Sequence, residues 1–111
     1  MALDPADVFV AIADPTRRRL LDLLCADPGQ PVRSLAKPFA MTRPAISQHL
    51  RILRDAGLVV EHRVGRERRY QLRAAPLREV SDWVSQYERF WPAQLSRLGA
   101  FLDAHAADDH P

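Results

Sequence analysis

The stretch Thr42-Arg43-Pro44-Ala45-Ile46-Ser47-Gln48-His49-Leu50-Arg51-Ile52-Leu53 combines side chains that can read a polymer edge with a spacing that can bury their scaffold. Ile46, Leu50 and Leu53 fall at i, i+4 and i+7, one apolar stripe of a helix. Pro44, Gln48 and Arg51 then occupy the opposite face, flanked by Ala45 and Ser47. A glutamine amide can bond adenine with both arms, and arginine takes guanine or phosphate. Serine bonds either, and alanine or proline can touch a thymine methyl. The small residues at 44, 45 and 47 let such a helix approach base edges closely. His49 lies on the shoulder, where it can bond a phosphate or pack on the scaffold. Thr42 and Arg43, at the start of the helix, complete this set.

A second candidate is Arg63-Val64-Gly65-Arg66-Glu67-Arg68-Arg69, a hairpin tip with arginines around a glycine. Such a tip can lay a guanidinium on the phosphate backbone or in the adjacent minor groove. Arg63 and Arg66 are the expected contacts. Arg68 and Arg69 alternate in direction, so at most one can share the role. Tyr70 and Leu72 are expected to pack beneath the strands. Charge points the same way. Residues 30–73 hold ten basic and three acidic side chains, a net of +7, and the remainder of the chain nets −5. Basic charge gathered in one segment is the footprint of a polyanion partner, a solvated basic face being the alternative.

The elements that would position these groups follow from capping and periodicity. The chain of 111 residues, 47% hydrophobic and 27% charged, fits one soluble domain over 1–111. Asp4-Pro5 and Asp14-Pro15 each pair a capping carboxylate with a proline suited to a first helical position. The first helix is short, with Val8, Phe9 and Ile12 on one face. The second carries Leu20, Leu21, Leu23 and Leu24 and stops near Asp27-Pro28-Gly29. Arg17, Arg18 and Arg19 sit early in it as surface charges, one of which can reach a phosphate. Val32 to Lys37 forms a third helix stopped by Pro38. Thr42 caps a fourth that ends near Ala56, with Gly57 as its left-handed stop. Leu58 to Val64 and Glu67 to Leu72 are strands of a hairpin turning at Gly65-Arg66.

This order predicts a mainly α chain with a small β-hairpin, a winged helix-turn-helix: helix-turn-helix over 32–56, wing over 58–72, and a long last helix over 77–105. Val80, Trp83, Val84, Tyr87, Trp91, Leu95, Leu98 and Leu102 recur along that helix at three- and four-residue steps. With Phe9 of the first helix they are the expected seam between two copies, part of it folding back on its own domain. Pro92 is expected to kink or split the helix near Phe90-Trp91. Residues 106–111 form a small acidic tail expected to fray.

Several classes of function are disfavoured. No run approaches the ~18 apolar residues of a membrane span, and Met1 to Pro5 lacks the pattern of a secretory leader. A cytoplasmic protein is expected. No phosphate-cradling glycine loop is present, and Ser47 and His49 are two apart on a helix, facing away from each other, so no catalytic residues are assigned. Cys25, the one cysteine, cannot build a thiolate metal site alone and is expected to behave as a small buried hydrophobe, a thiol switch between subunits being the alternative.

These residues resemble the ArsR-type (ArsR/SmtB) family of bacterial winged helix-turn-helix regulators over roughly residues 8–102. The resemblance rests on Ala13-Asp14-Pro15-Thr16-Arg17-Arg18, on Leu35-Ala36, on the run from Arg43 to Val59, and on Gly65-Arg66 with Tyr70-Gln71-Leu72. It implies a homodimer joined by the N- and C-terminal helices. It further implies a palindromic double-stranded DNA operator, usually bound to block transcription, with recognition helices about 34 Å apart. The family's best-known metal sites need paired cysteines on the third helix, where this chain has Val32-Arg33-Ser34-Leu35-Ala36-Lys37. Another family site uses Asp and His along the last helix, and here no His occurs between Leu77 and Leu102. No cofactor and no resident metal are therefore expected, the tail residues Asp103, His105 and His110 being the remaining candidates for nickel, cobalt or zinc. Two alternatives keep the fold: a sensor of a small molecule or metal using the last helix or tail, and a protein-interaction module that has lost DNA binding.

Overall fold

The computed structural model describes residues 7–92. Helices α1 (Val8–Ile12) and α2 (Pro15–Ala26) are followed by the short strand β1 (Gln30–Pro31), α3 (Val32–Ala36) and α4 (Arg43–Asp55). The hairpin β2 (Val59–Val64) and β3 (Glu67–Leu72) leads to α5 (Leu77–Ser85) and a 3-10 turn at Glu88–Phe90. The winged helix-turn-helix predicted from the sequence is thus the fold observed. Contacts divide the chain into one unit ending at Val80 and a second beginning at Ser81.

Local chemistry explains where the first-unit helices begin and end. The Asp7 carboxylate accepts from the Phe9 N–H at 2.7 Å and starts α1, so the cap lies three residues beyond the expected Asp4, which falls outside the described residues. Asp14 caps α2 by accepting from the Arg17 N–H at 3.0 Å, with Pro15 in the first turn. Thr42 caps α4 through Ala45 N–H at 3.3 Å. At the far end of α4, Leu58 N–H bonds Leu53 C=O and Gly57 N–H bonds Arg54 C=O, both at 2.9 Å. That reciprocal pair is a Schellman closure, and it needs the φ of +76° that Gly57 adopts.

Arg17 departs from the surface role expected of it. Its Nε donates to Ala11 C=O at 2.6 Å and its Nη2 to Val10 C=O at 3.1 Å, while Arg18 Nη1 donates to Ile12 C=O at 2.8 Å. Two cations therefore satisfy the orphan carbonyls at the C-terminus of α1, where the helix dipole also favours positive charge. A five-residue helix has little stability alone, and this closure together with buried Val8 and Ala11 holds it in place.

The core gathers Leu20, Leu21 and Leu24 of α2, Leu35 of α3, Ile46, Leu50 and Leu53 of α4, and Leu58, Val59 and Tyr70 of the hairpin region. Cys25 is exposed rather than buried, because it falls one residue past the Leu20-Leu21-Leu24 face. The sheet is antiparallel in the order β1-β3-β2. Strand β1 was not foreseen. Its two residues carry no alternation, and Pro31 is tolerated there because β1 is an edge. The hairpin closes with Val64 opposite Glu67, and Gly65 at φ +63° supplies the two-residue turn.

Leu77 and Val80, at the start of α5, pack against the first-unit core. In the second unit the predicted long helix is interrupted well before Pro92. Ser85 Oγ donates to Asp82 C=O at 2.7 Å and Gln86 Nε2 to Trp83 C=O at 3.0 Å, taking carbonyls at the end of α5. After the 3-10 turn, Trp91 is extended, as the residue before a proline prefers. Trp83 and Tyr87 meet edge to face at 5.3 Å, and Arg89 lies over the Phe90 ring at 4.7 Å. Leu95, Leu98, Leu102, Asp103, His105, His110 and the tail 106–111 lie outside the described residues. Among the described residues no helix is long and apolar enough to cross a membrane.

Two outcomes follow. Gly57→Ala meets no steric block, since its Cβ would sit 3.6 Å from Pro76 Cγ, but it forces an L-residue into the left-handed region. Urea denaturation should register a loss of about 1–2 kcal/mol. For Asp14, burial raises the carboxyl pKa, but the Arg17 N–H and the charges of Arg17 and His49 outweigh it and hold it below the ordinary value. Its contribution is therefore present above the unfolded pKa of about 4 and is lost as pH falls through the lower folded value. Asp14→Asn keeps a capping oxygen and should remove this acid-sensitive component, while Asp14→Ala should also cost about 1 kcal/mol at neutral pH. Denaturation series from pH 6 to 2 distinguish the three chains.

Candidate nucleic-acid interface

Helix α4 carries the first part of the site. Ile46, Leu50 and Leu53 are 0% exposed, which fixes the roll of the helix about its axis. Thr42, Arg43, Pro44, Ser47, Gln48 and Arg51 are consequently exposed, and Ala45 is half-buried. Pro44, Ala45 and Ser47 put short side chains on the N-terminal half of this face.

His49 is turned toward the scaffold. Its Nδ1 lies 3.3 Å from Arg17 Nη1 and 3.9 Å from Asp14 Oδ2, and its side chain is mostly buried. An arginine N–H can only donate, so Nδ1 accepts in that contact when the ring is neutral, and a protonated ring turns the same nitrogen's N–H to Asp14. This contact supplies the scaffold packing that was one of the two roles open to His49 in the sequence. It ties α4 to the same Asp14 and Arg17 that close α1 and open α2.

The hairpin carries the second part. Arg63, Gly65 and Arg66 are exposed at the tip, and neither arginine has an ion pair among the described residues. Arg68 and Arg69 are engaged differently. Arg68 Nε reaches Glu61 Oε1 at 3.2 Å, and Arg54, in the last turn of α4, reaches Glu61 Oε2 at 2.9 Å. One carboxylate thus joins α4 to the hairpin. On the other side of the sheet Glu67 takes Arg33 at 2.7 Å and Arg69 at 3.3 Å, and Arg69 Nη1 also donates to Gly29 C=O at 3.3 Å.

Two glutamates therefore engage four of the ten basic residues between 30 and 73. Lys37, Arg43, Arg51, Arg63, Arg66 and Arg73 have no ion pair among the described residues. Sequence reasoning missed the Arg54–Glu61–Arg68 bridge, although strand parity contained a signal for it. In the observed register Arg63 faces Arg68 and Glu61 faces Tyr70, so all four share one face of the hairpin. An open cleft of about 440 Å³ lies between that face and α4, with Ser47, Gln48, Arg51, Arg54, Arg68 and Tyr70 among its walls. Tyr70 is 6% exposed, and burial, then the Glu61 charge, push its phenol pKa up, so it stays a neutral hydroxyl near pH 7.

No group of three or more His, Cys, Asp or Glu side chains able to hold a metal occurs among the described residues. The interface is thus built from donors, small groups and guanidiniums.

Comparison with known proteins converges on one family. The family described as bacterial regulatory protein, arsR family, matches residues 14–60. The transcriptional repressor SdpR of Bacillus subtilis is 37% identical over 81 residues, 73% of this chain and 89% of that protein. The HTH-type transcriptional regulator Rv2034 of Mycobacterium tuberculosis is 34% identical over 104 residues, 94% of each chain. Among solved structures, the homodimeric winged helix-turn-helix DNA-binding domain Mb0332 of Mycobacterium bovis is 28% identical with a TM-score of 0.59, covering 74% of this chain and 78% of that one. With the fold, the exposed face of α4 and the arginine-tipped hairpin in agreement, the chain belongs to the arsR family of bacterial transcriptional regulators.

Proposed function

We propose that the chain is a homodimeric repressor that binds a palindromic operator, reading base edges with α4 and gripping the backbone with the hairpin. The observation that carries this reading is the complete burial of the Ile46-Leu50-Leu53 stripe, which turns Pro44, Ser47, Gln48 and Arg51 outward together. In this reading Gln48 and Arg51 reach base edges, Pro44, Ala45 and Ser47 line the approach, and Thr42 and Arg43 lie along the phosphates. Arg63 and Arg66 contact backbone or minor groove. His49 acts as a positioning residue through Arg17 and Asp14. The helix-turn-helix spans 32–56 and the wing 58–72. A cytoplasmic location goes with this reading, because chromosomal DNA is found there.

Pairing between copies is assigned to the exposed aromatics of the second unit, Trp83 at 50%, Tyr87 at 44% and Trp91 at 47% exposure. Contiguous exposed aromatics of this kind mark protein–protein contacts. Val84 is half-buried in the same unit, and in the first unit Phe9 and Val80 are partly spent on the core. Leu95, Leu98 and Leu102 extend the same sequence stripe.

Gel-shift titrations on specific and scrambled duplexes separate the roles. Arg63→Ala and Arg66→Ala should each weaken both duplexes and reduce the slope of log affinity against log salt by about 1. Gln48→Ala should cost about 1–3 kcal/mol on the specific duplex only, relaxing preference at one base pair. An equal loss on both duplexes for Gln48→Ala would contradict its role. Trp83→Ala with Trp91→Ala should shift sedimentation at micromolar concentration from dimer to monomer.

A further inference from the structure

The cleft between α4 and the hairpin holds more donor capacity than the protein itself uses. Its volume, about 440 Å³, falls in the range of small-molecule sites. Tyr70, 6% exposed as a residue, forms part of its wall, and its phenol hydroxyl keeps solvent access and has no hydrogen-bond partner among the described residues. Arg51, on the opposite wall, has no ion pair among the described residues. Arg54 and Arg68 are pinned by Glu61, but each guanidinium carries five N–H donors and the carboxylate takes few of them. Three guanidiniums, one already-bonded carboxylate and a hydroxyl donor free of protein partners among the described residues therefore line one cleft. The missing component is an acceptor with negative charge, and planar guanidinium forks match the oxygens of phosphate and carboxylate.

We propose that this cleft is an oxyanion-binding site, which takes a phosphate or carboxylate group against Arg51, Arg68 and the Tyr70 hydroxyl. The anion comes from one of two sources, a small organic molecule or the DNA backbone. Ser47, Gln48 and Arg51 belong both to the cleft and to the proposed base-reading face. A small anion seated there and a duplex would exclude one another, a consequence that rests on the DNA-binding reading, whereas the anion site does not.

The site is tested without DNA by titrating the isotope-labelled full chain with phenyl phosphate, using sodium chloride at matched ionic strength as the control. Arginine Nε–H and tyrosine ring resonances should shift saturably at Arg51, Arg68 and Tyr70, with a dissociation constant in the millimolar range or below, and not at Arg43, Arg63 and Arg66. Tyr70→Phe keeps the ring in the core and removes only the donor; it should weaken binding about tenfold, as should Arg68→Gln, with thermal melts confirming the fold. Equal, unsaturated shifts at all six positions, or a Tyr70→Phe chain that binds phenyl phosphate as the parent does, would overturn the proposal. A second arm identifies the source at fixed ionic strength. Phenyl phosphate releasing a duplex from the parent but not from Tyr70→Phe, with equal DNA affinities, assigns the site to a free anion. A tenfold loss of DNA affinity in Tyr70→Phe assigns it to a backbone phosphate.

Discussion

Ile46, Leu50 and Leu53 are wholly buried against α2, α3 and the hairpin region, and that packing sets the angular position of α4 to within a fraction of a turn. A helix in this setting can present only one face to solvent. Any substitution that empties the stripe would cost about 2–5 kcal/mol and free the helix to roll, so stability and the exposed face of α4 depend on the same three side chains. The caps at both ends fix its length. Thr42 sets the first exposed turn, and Gly57 stops the helix so that the chain can reverse into β2.

The electrostatics refine what raw charge suggested. A segment carrying +7 would be a diffuse field if every side chain were free. Glu61 and Glu67 instead spend four guanidiniums on architecture, drawing Arg54 of the helix to Arg68 of the hairpin and tying Arg33 and Arg69 to the other side of the sheet. Of that segment's arginines without ion pairs among the described residues, Arg43 and Arg51 stand at the start and outer face of α4 and Arg63 and Arg66 at the hairpin tip. Such partly exposed pairs contribute little stability singly. Their effect is geometric, holding the hairpin at a set distance from the helix and leaving the cleft between them open.

What was legible in the sequence was what neighbours in the chain decide. The i, i+4, i+7 stripe of α4, the Asp14 and Thr42 caps, the Gly57 stop and the Gly65 turn all act within a few residues, and the structure has each of them. What was not legible depends on how the chain turns back on itself and on side chains that capture backbone carbonyls. Arg17 seemed a surface charge because nothing local says that the end of α1 turns back to it. His49 had two open roles until α4 was set beside Asp14. Strand β1 exists only because β3 offers it an edge. The interruption after Ser85 was missed because periodicity counts apolar steps, whereas Ser85 and Gln86 end the helix by capturing carbonyls.

If α4 reads DNA while the hairpin holds the backbone, the unmodified chain should form a salt-sensitive complex with a defined stoichiometry. The most direct measurement is a titration of the purified protein, with chelator present, onto duplex from the region upstream of its own gene across a salt series. The expected result is two chains per site and an affinity that falls steeply and linearly in log salt, reflecting several phosphates neutralised by each chain. Affinity independent of salt, or no binding to any duplex at low salt, would contradict it.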